Sequence, residues 1–253
     1  MVATAGMRNA AIDVEACTDL GILVCGTTAR SRNTSEMTWA LILALLRRVS
    51  REHENMRAGR WQETIGVELL DKTIGLIGLG KIGKEMATVA QAFGMRVLAW
   101  SANLTEERAA ECGARKVGLE ELVSSADIVS IHTRLSERTR GLLGVAELSR
   151  MKSSAYLVNT SRGPIVDEVA LLDVLQARKI AGAALDVYGY EPLPADHALR
   201  KLENVVLTPH LGYVTDESYQ NFYGQTLENI LGFLGGKPTR VINEAVLHKL
   251  RPR

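Results

Sequence analysis

The sequence has few cysteines and no long apolar run. Its three cysteines, Cys17, Cys25 and Cys112, are odd in number, widely spaced and never form a CxxC pair. A disulfide framework or a zinc knuckle is therefore not expected, and a reducing cytoplasm is the predicted location. The longest apolar run, Trp39–Leu46, is far below the roughly 18 residues of a membrane span. The first residues also lack a basic segment followed by an apolar one, so no signal peptide is predicted.

An excess of charge of either sign is missing as well. The 30 basic residues nearly balance the 29 acidic ones, which leaves a net charge of +1. This balance predicts no general attraction to nucleic acid or to a membrane surface, so any specificity must come from a local site. The spacing of the five histidines indicates no metal site, which argues against a zinc-dependent alcohol dehydrogenase.

From about Lys72 onwards, short apolar runs alternate with segments of helical character. The predicted strands are Thr73–Gly78, Arg96–Ser101, Asp127–His132, Ala155–Asn159, Gly182–Val187 and Val205–Leu207. Their richness in Val, Ile and Leu is typical of strands buried on both faces. The predicted helices between them are Lys81–Phe93, Thr105–Cys112 and Glu168–Ala177. This alternation predicts an α/β fold with a doubly wound parallel sheet.

Two long helices are predicted on either side of this sheet domain. Residues 34–58 have apolar side chains at helical spacing, and Thr34 is the expected N-cap of a single helix. Residues Asp216–Leu234 form the second predicted helix. We interpret both as connectors that lead into and out of the sheet domain.

A GxGxxG turn joins the first predicted strand to the helix that follows it. Gly78 would make the tight turn, Gly80 would let the backbone approach a pyrophosphate, and Gly83 would allow the helix to pack closely on the strand. Lys81 and Ile82 would begin a helix whose free N–H groups attract a phosphate. Glycine-rich turns also serve as plain strand–helix junctions, but the strand before and the helix after favour a dinucleotide site.

The residue that would contact the adenosine ribose lies about 20 residues further on, at the end of the next strand. An Asp or Glu there would accept hydrogen bonds from the ribose 2′-hydroxyl and repel a 2′-phosphate, but this chain has Ser101. The missing carboxylate favours NADP over NAD, although neither Ser101 nor Asn103 is an arginine that would hold the extra phosphate. A solvated turn without contact to a cofactor is the alternative for both residues.

Four further motifs follow in order along the second half of the chain. They are VNTSRGPIVD from Val158, ALDV from Ala184, EPLP from Glu191 and TPHLG from Thr208. With the glycine-rich turn, this series resembles the D-isomer-specific 2-hydroxyacid dehydrogenase family, whose members include glyoxylate, hydroxypyruvate and phosphoglycerate dehydrogenases. The resemblance implies a Rossmann-type NAD(P)-binding domain beside a flavodoxin-like substrate domain, a small 2-oxo or 2-hydroxy acid as substrate, and a homodimer.

The resemblance also implies a catalytic set of Arg162, Glu191 and His210. His210 would donate a proton to the substrate carbonyl during reduction and recover it in the reverse direction. Glu191 would hold the imidazole and favour its protonated form. Arg162 would bind the substrate carboxylate through its fork of N–H groups.

Two more cofactor contacts come from the resemblance. Asp186, at the end of an apolar strand, is unexpected as a buried charge without a partner, and the family places it near the nicotinamide carboxamide. Thr133 follows a strand that would line the cofactor groove. Next to it the family commonly has proline where this chain has Arg134.

The family usually places its substrate domain before the cofactor domain, and Met1–Asn9 resembles the third strand of that domain and its following loop. Two βα units are therefore expected to be absent. The predicted division is a substrate-domain remnant over 1–33, a dinucleotide-binding domain over 34–214, and a C-terminal helix and tail over 215–253. Two alternatives to an active dehydrogenase stay open. One is a non-catalytic NAD(H)-sensing module of the dehydrogenase-like corepressor type, and the other is an inactive fragment of the enzyme.

Overall fold

The computed structural model describes residues 1–9, 11–28 and 32–249. The chain divides into two compact units. The smaller unit contains Met1–Arg30 and Tyr213–Arg253, and the larger unit contains Ser31–Gly212.

The helices and strands alternate along most of the described chain. The strands are β1 (Val2–Ala3), β2 (Val24–Cys25), β3 (Thr73–Ile77), β4 (Arg96–Trp100), β5 (Arg115–Lys116), β6 (Ile128–Ile131), β7 (Tyr156–Asn159), β8 (Gly182–Leu185) and β9 (Val205–Leu207). The α-helices are α1 (Val14–Asp19), α2 (Arg32–Leu46), α3 (Val49–Arg57), α4 (Lys81–Ala92), α5 (Glu106–Ala110), α6 (Leu119–Ser125), α7 (Val145–Arg150), α8 (Glu168–Gln176) and α9 (Asp216–Leu234). Short 3-10 helices lie at Gly163–Ile165, Ala198–Lys201 and Glu244–Lys249.

The larger unit is built on a parallel sheet of seven strands in the order β5-β4-β3-β6-β7-β8-β9. The chain runs outwards from β3 through β4 to β5, and then returns to pair β6 with the other edge of β3. Ile74 of β3 therefore lies between Val97 of β4 and Ile128 of β6. The order reverses between β3 and β6, and open α/β sheets bind ligands at such a switch point, beyond the carboxyl ends of the strands. The predicted doubly wound sheet is confirmed.

The sheet is buried because helices cover both of its faces. Every residue of β3, β6, β7 and β8 is buried. Alternate residues of one strand face opposite sides, so Leu76 belongs to one apolar cluster and Ile77 to the other. Each large aliphatic side chain buried in this way contributes about 1.5–3 kcal/mol. The continuous apolar runs in the sequence reflect this two-sided burial.

The prediction of one helix over 34–58 is wrong. Helix α2 ends at Leu46 and α3 begins at Val49, because Arg48 between them has a left-handed backbone with a φ of 55°. Thr34 lies inside α2 rather than before it, so the predicted N-cap is also wrong. Its hydroxyl instead donates to the carbonyl of Gly212 at 3.2 Å.

The smaller unit contains the parallel pair β1 and β2. Its apolar cluster of buried residues consists of Leu23, Cys25 and Val246. The predicted helix Asp216–Leu234 is confirmed as α9, and the Thr215 hydroxyl caps it by accepting a hydrogen bond from the Ser218 N–H at 3.2 Å. The partial flavodoxin-like domain stays a prediction. Among the described residues, no helix combines the length and apolar character needed to cross a membrane.

Candidate active site

The glycine-rich turn lies at the switch point between β3 and β6. Gly78 has a φ of +105°, and a Cβ there would lie 2.7 Å from the backbone of His132 and Thr133. A Cβ at Gly83 would lie only 2.1 Å from the Gly78 carbonyl oxygen. A Cβ at Gly80, by contrast, would meet no described atom within 4 Å. Gly78 and Gly83 are therefore required for close backbone packing, whereas Gly80 leaves open space in front of the turn.

Helix α4 begins at Lys81, directly after this turn. Its N-cap residue, Gly80, has an extended backbone, and no side chain in the described chain caps the first turn formed by Lys81, Ile82 and Gly83. The N–H groups of a helical first turn have no partner within their own helix and attract anions. The open space at Gly80 and this helix end fit a dinucleotide pyrophosphate.

The two predicted ribose contacts follow the neighbouring strand. Ser101 is half-buried immediately after β4, and its carbonyl accepts a hydrogen bond from the Leu104 N–H at 3.1 Å. Asn103 is exposed within the turn that this bond closes. The Gly78 N–H donates to the carbonyl of Trp100 at 2.7 Å. Ser101, the predicted ribose contact, is the residue directly after Trp100, so it lies close to the glycine-rich turn.

Thr133 lies just beyond β6, where its carbonyl accepts a hydrogen bond from the Ser161 hydroxyl at 2.5 Å. The imidazole of His132, one residue earlier, lies 2.9 Å from the buried Ser130 hydroxyl. Burial lowers the pKa of His132 to about 4. His132 is thus neutral at physiological pH. Its backbone packs directly against Gly78.

Arg162 lies in the turn after β7, and the buried side chain of Asn159 shapes that turn. The Asn159 amide donates to the Arg162 carbonyl and accepts from the Ser161 N–H, both at 3.0 Å. A Cβ at Gly163 would lie 2.0 Å from the carbonyl carbon of Tyr188, so this turn is pressed against the loop that follows β8. The Arg162 side chain is exposed, and its Nη1 donates to the Ser161 carbonyl at 2.6 Å.

Glu191 and His210 form a direct pair. The loop after β8 carries Glu191, and the turn after β9 carries His210, whose Nδ1 lies 2.7 Å from Glu191 Oε2. Since an ionised carboxylate can only accept, Nδ1 carries the shared hydrogen. The Glu191 and His210 side chains are 36% and 32% exposed, so the pair lies at the protein surface rather than in the core. His210 itself has a left-handed backbone with a φ of 57°.

Asp186 holds the turn that carries His210. Its carboxylate is fully buried and accepts hydrogen bonds from the Thr208 hydroxyl, the Leu211 N–H and the Gly212 N–H, at 2.6, 2.7 and 2.8 Å. These donors lie on both sides of His210. A contact of Asp186 with the nicotinamide carboxamide stays a prediction, whereas the bonds to this turn were not foreseen.

The structure thus brings Glu191 and His210 together and places Arg162 in a turn that packs on the same loop as Glu191. Sequence reasoning missed Asn159 and Tyr188, whose roles depend on contacts with other turns. The sequence feature that could have identified Asn159 is its position as a polar residue at the end of an apolar strand. No group of three His, Cys, Asp or Glu residues in the described chain is arranged to hold a metal ion.

Comparison with known proteins agrees with this geometry. A parallel sheet with a glycine-rich turn at its switch point defines a Rossmann-type nucleotide-binding domain. The sequence model of the D-isomer specific 2-hydroxyacid dehydrogenase NAD binding domain matches residues 39–212. The chain belongs to this family of oxidoreductases, as the resemblance predicted.

Relatives in this family include a glyoxylate reductase of Aeropyrum pernix, which is 42% identical over 95% of this chain and 75% of its own length. A D-3-phosphoglycerate dehydrogenase of Bacillus subtilis is 39% identical, and the match covers 94% of this chain and 46% of that protein. The crystal structure of a phosphoglycerate oxidoreductase from Vibrio cholerae is 36% identical and superposes with a TM-score of 0.87, covering 91% of this chain and 75% of the other.

Proposed function

We propose that the chain interconverts a 2-oxo acid and a D-2-hydroxy acid with a nicotinamide cofactor. The observation that carries this proposal is the Glu191–His210 pair, with a 2.7 Å contact, at the carboxyl edge of a sheet that also bears the glycine-rich turn. A histidine oriented by a carboxylate is a suitable proton donor near neutral pH. Family membership supports the same reaction class.

His210 supplies and recovers the proton in this mechanism. When bound, a reduced nicotinamide cofactor would supply the hydride for C2 of the 2-oxo acid. The imidazolium of His210 donates its Nε2 proton to the carbonyl oxygen, which becomes the hydroxyl of the product. Nδ1 keeps its hydrogen throughout, because that hydrogen is held by Glu191. The neutral imidazole left behind carries a lone pair on Nε2 and acts as the base in the reverse reaction.

Arg162 binds the substrate carboxylate and polarises its carbonyl in this proposal. Its side chain is exposed at the carboxyl end of β7, and a guanidinium offers two parallel N–H groups that match a carboxylate. The turn that carries it is fixed by Asn159, so the backbone from which the guanidinium extends is held in place.

The glycine-rich turn and the ends of β4, β6 and β8 hold the cofactor in this proposal, through Gly78, Gly80, Lys81, Ile82, Gly83, Ser101, Asn103, Thr133 and Asp186. Ser101 supports a preference for NADP because it places no negative charge at the ribose position. Replacing Ser101 with Asp should move the preference towards NADH. The ratio of kcat/KM for NADPH and NADH measures this shift.

The decisive test is oxidation of NADPH and of NADH by the purified chain, with glyoxylate and hydroxypyruvate as acceptors. We expect turnover that falls by about 100- to 10,000-fold in His210→Gln, the usual effect of removing a positioned acid–base group. His53→Gln, at an exposed position of α3, is the matched control and should keep wild-type activity. Cofactor affinity should be nearly the same in all three proteins.

Two results would contradict the proposal. Equal turnover in wild type and His210→Gln would place the proton donor elsewhere. Tight NAD(P)H binding by a folded chain without turnover would favour the corepressor-type binding module or an inactive fragment instead.

The homodimer and the cytoplasmic location stay predictions. In this proposal, residues 34–58 and Gly141–Met151 are candidate interface segments, with packing inside the subunit as the alternative. The structure adds Trp61 and Ile65, which are 73% and 92% exposed in the segment between α3 and β3. Sedimentation of the wild type and of Ile65→Asp measures whether this segment contributes to self-association.

A further inference from the structure

Tyr188 is a buried residue that contacts both of the loops carrying the Glu191–His210 pair. Its side chain is 7% exposed, and it lies three residues before Glu191. Its backbone N–H donates to Glu191 Oε1 at 2.9 Å. Its hydroxyl lies 2.9 Å from the Thr208 carbonyl oxygen, two residues before His210.

These contacts form a closed circuit of hydrogen bonds. Glu191 Oε1 accepts from the Tyr188 N–H, and Glu191 Oε2 accepts from His210 Nδ1 at 2.7 Å. The His210 backbone N–H then donates to the Thr208 carbonyl at 3.1 Å. The Tyr188 hydroxyl donates to the same carbonyl, which returns the circuit to its starting residue.

We infer that Tyr188 is a positioning residue for the Glu191–His210 pair, with its N–H fixing the carboxylate and its hydroxyl fixing the histidine turn. The inference rests on the proposed function, and it assigns Tyr188 no contact with reacting atoms. A positioned imidazole matters because proton transfer requires hydrogen-bond distance and alignment to the substrate oxygen.

The chemistry of the hydroxyl suits this role. Burial, and after it the negative charge of Asp186, raises the pKa of Tyr188 to about 12. The hydroxyl therefore remains protonated at neutral pH and can donate. Its two neighbours, the carbonyls of Thr208 and Leu185 at 2.9 and 3.1 Å, can only accept.

Removing this hydroxyl should spare the fold. The Thr208 carbonyl keeps the His210 N–H, and the Leu185 carbonyl keeps the Thr208 N–H at 3.0 Å. Neither carbonyl loses its last donor, so Tyr188→Phe avoids the cost of an unsatisfied group. The variant removes one of the hydrogen bonds between the two loops and retains the aromatic ring.

The test compares Tyr188→Phe with Tyr190→Phe, a matched control at a position of the same loop that is 71% exposed. The first readout is the NMR signal of the His210 Nδ1 proton, assigned by its disappearance in His210→Gln. We expect this proton to be protected from exchange in wild type and Tyr190→Phe, and to exchange faster in Tyr188→Phe. The second readout is kcat, which should fall by about 3- to 10-fold in Tyr188→Phe, as expected for one lost neutral hydrogen bond, with KM nearly unchanged.

An unchanged Nδ1 signal in folded Tyr188→Phe overturns the inference, as does a wild-type protein without a protected signal. If Tyr188→Phe fails to fold, 4-aminophenylalanine at this position retains a donor. A folded protein with that residue should keep the protected proton, and its loss there overturns the inference too. A chain without turnover contradicts the proposed function, while the NMR comparison still decides the role of Tyr188.

Discussion

The larger and smaller units reach a stable fold by different means. In the larger unit, apolar strands are buried on both faces of the sheet, and the functional polar residues follow the ends of those strands. In the smaller unit, the two paired strands have two residues each, and the buried apolar cluster contains Leu23, Cys25 and Val246. Apolar burial therefore contributes far less to the smaller unit.

Two buried asparagines stabilise the smaller unit through hydrogen bonds to its backbone. Asn243 accepts from the Val24 N–H at 2.8 Å and donates to the Ile22 carbonyl at 2.9 Å. Asn229 donates to the Gly26 carbonyl at 2.8 Å. Such bonds are directional, so they fix a particular backbone geometry where a small core cannot.

The two units differ in whether their polar side chains are available for chemistry. Because apolar packing holds the larger unit, the polar side chains beyond its strands can be arranged around a ligand. In the smaller unit the buried polar side chains are needed for the fold itself. Four variants test this contrast.

The largest expected effect is that of Gly83→Ala in the larger unit. The added Cβ would lie 2.1 Å from the Gly78 carbonyl oxygen, so helix and strand must separate. We expect a loss of about 3 kcal/mol or more in the free energy of unfolding, together with loss of cofactor binding. Urea denaturation measures the first and fluorescence titration with NADPH the second. Wild-type stability in this variant would mean that the glycine is not required for packing.

The second variant, Asn243→Ala, addresses the smaller unit. It leaves the buried Val24 N–H without its acceptor, which should cost about 1–3 kcal/mol. Hydrogen exchange should accelerate in β2 and not in β3 or β6, and the affinity for NADPH should stay unchanged. Equal acceleration in both units would show that they do not differ in the way described.

Gly80→Ala separates packing from cofactor binding within the glycine-rich turn itself. A Cβ at Gly80 meets no described atom within 4 Å, and its φ of −82° is accessible to alanine. Stability should therefore stay at the wild-type value, while NADPH binding weakens at least about tenfold, or about 1.4 kcal/mol, because the methyl group enters the space in front of the turn. Unchanged affinity would show that no cofactor approaches Gly80.

The smallest effect is expected from Asp127→Asn, at the amino end of β6. Burial opposes ionisation of Asp127, but the hydrogen bond from the Thr73 N–H and the Lys152 ammonium outweigh it and leave the pKa below its ordinary value of 3.8. A lowered folded-state pKa stabilises the protein above that ordinary value, and this contribution is lost as the pH falls through the lowered pKa.

The Asn variant should therefore be less stable by under about 1 kcal/mol at neutral pH, and the difference should shrink on acidification below the ordinary carboxylate pKa. Thermal unfolding between neutral and acidic pH measures this. Activity should be unaffected, because Asp127 lies at the amino end of its strand, whereas the candidate site residues follow the carboxyl ends. A difference between the proteins that grows in acid would contradict the assignment.

The amino-acid sequence alone is enough to predict the parallel sheet, the glycine-rich turn and the residues at the strand ends. These follow from patterns within a few residues, namely continuous apolar runs, glycines at fixed spacing and short motifs, which the local backbone enforces wherever the chain lies. Helix α9 was predicted with its observed bounds for the same reason.

How those residues act together depends on the three-dimensional fold. Glu191 meets His210 across 19 residues, and Asp186 reaches the Leu211 N–H across 25, because β8 and β9 are neighbours in the sheet. The break at Arg48 likewise interrupts a helical pattern that continues in the sequence. Contacts between distant residues depend on strand order and loop path, and no pattern within one segment encodes either.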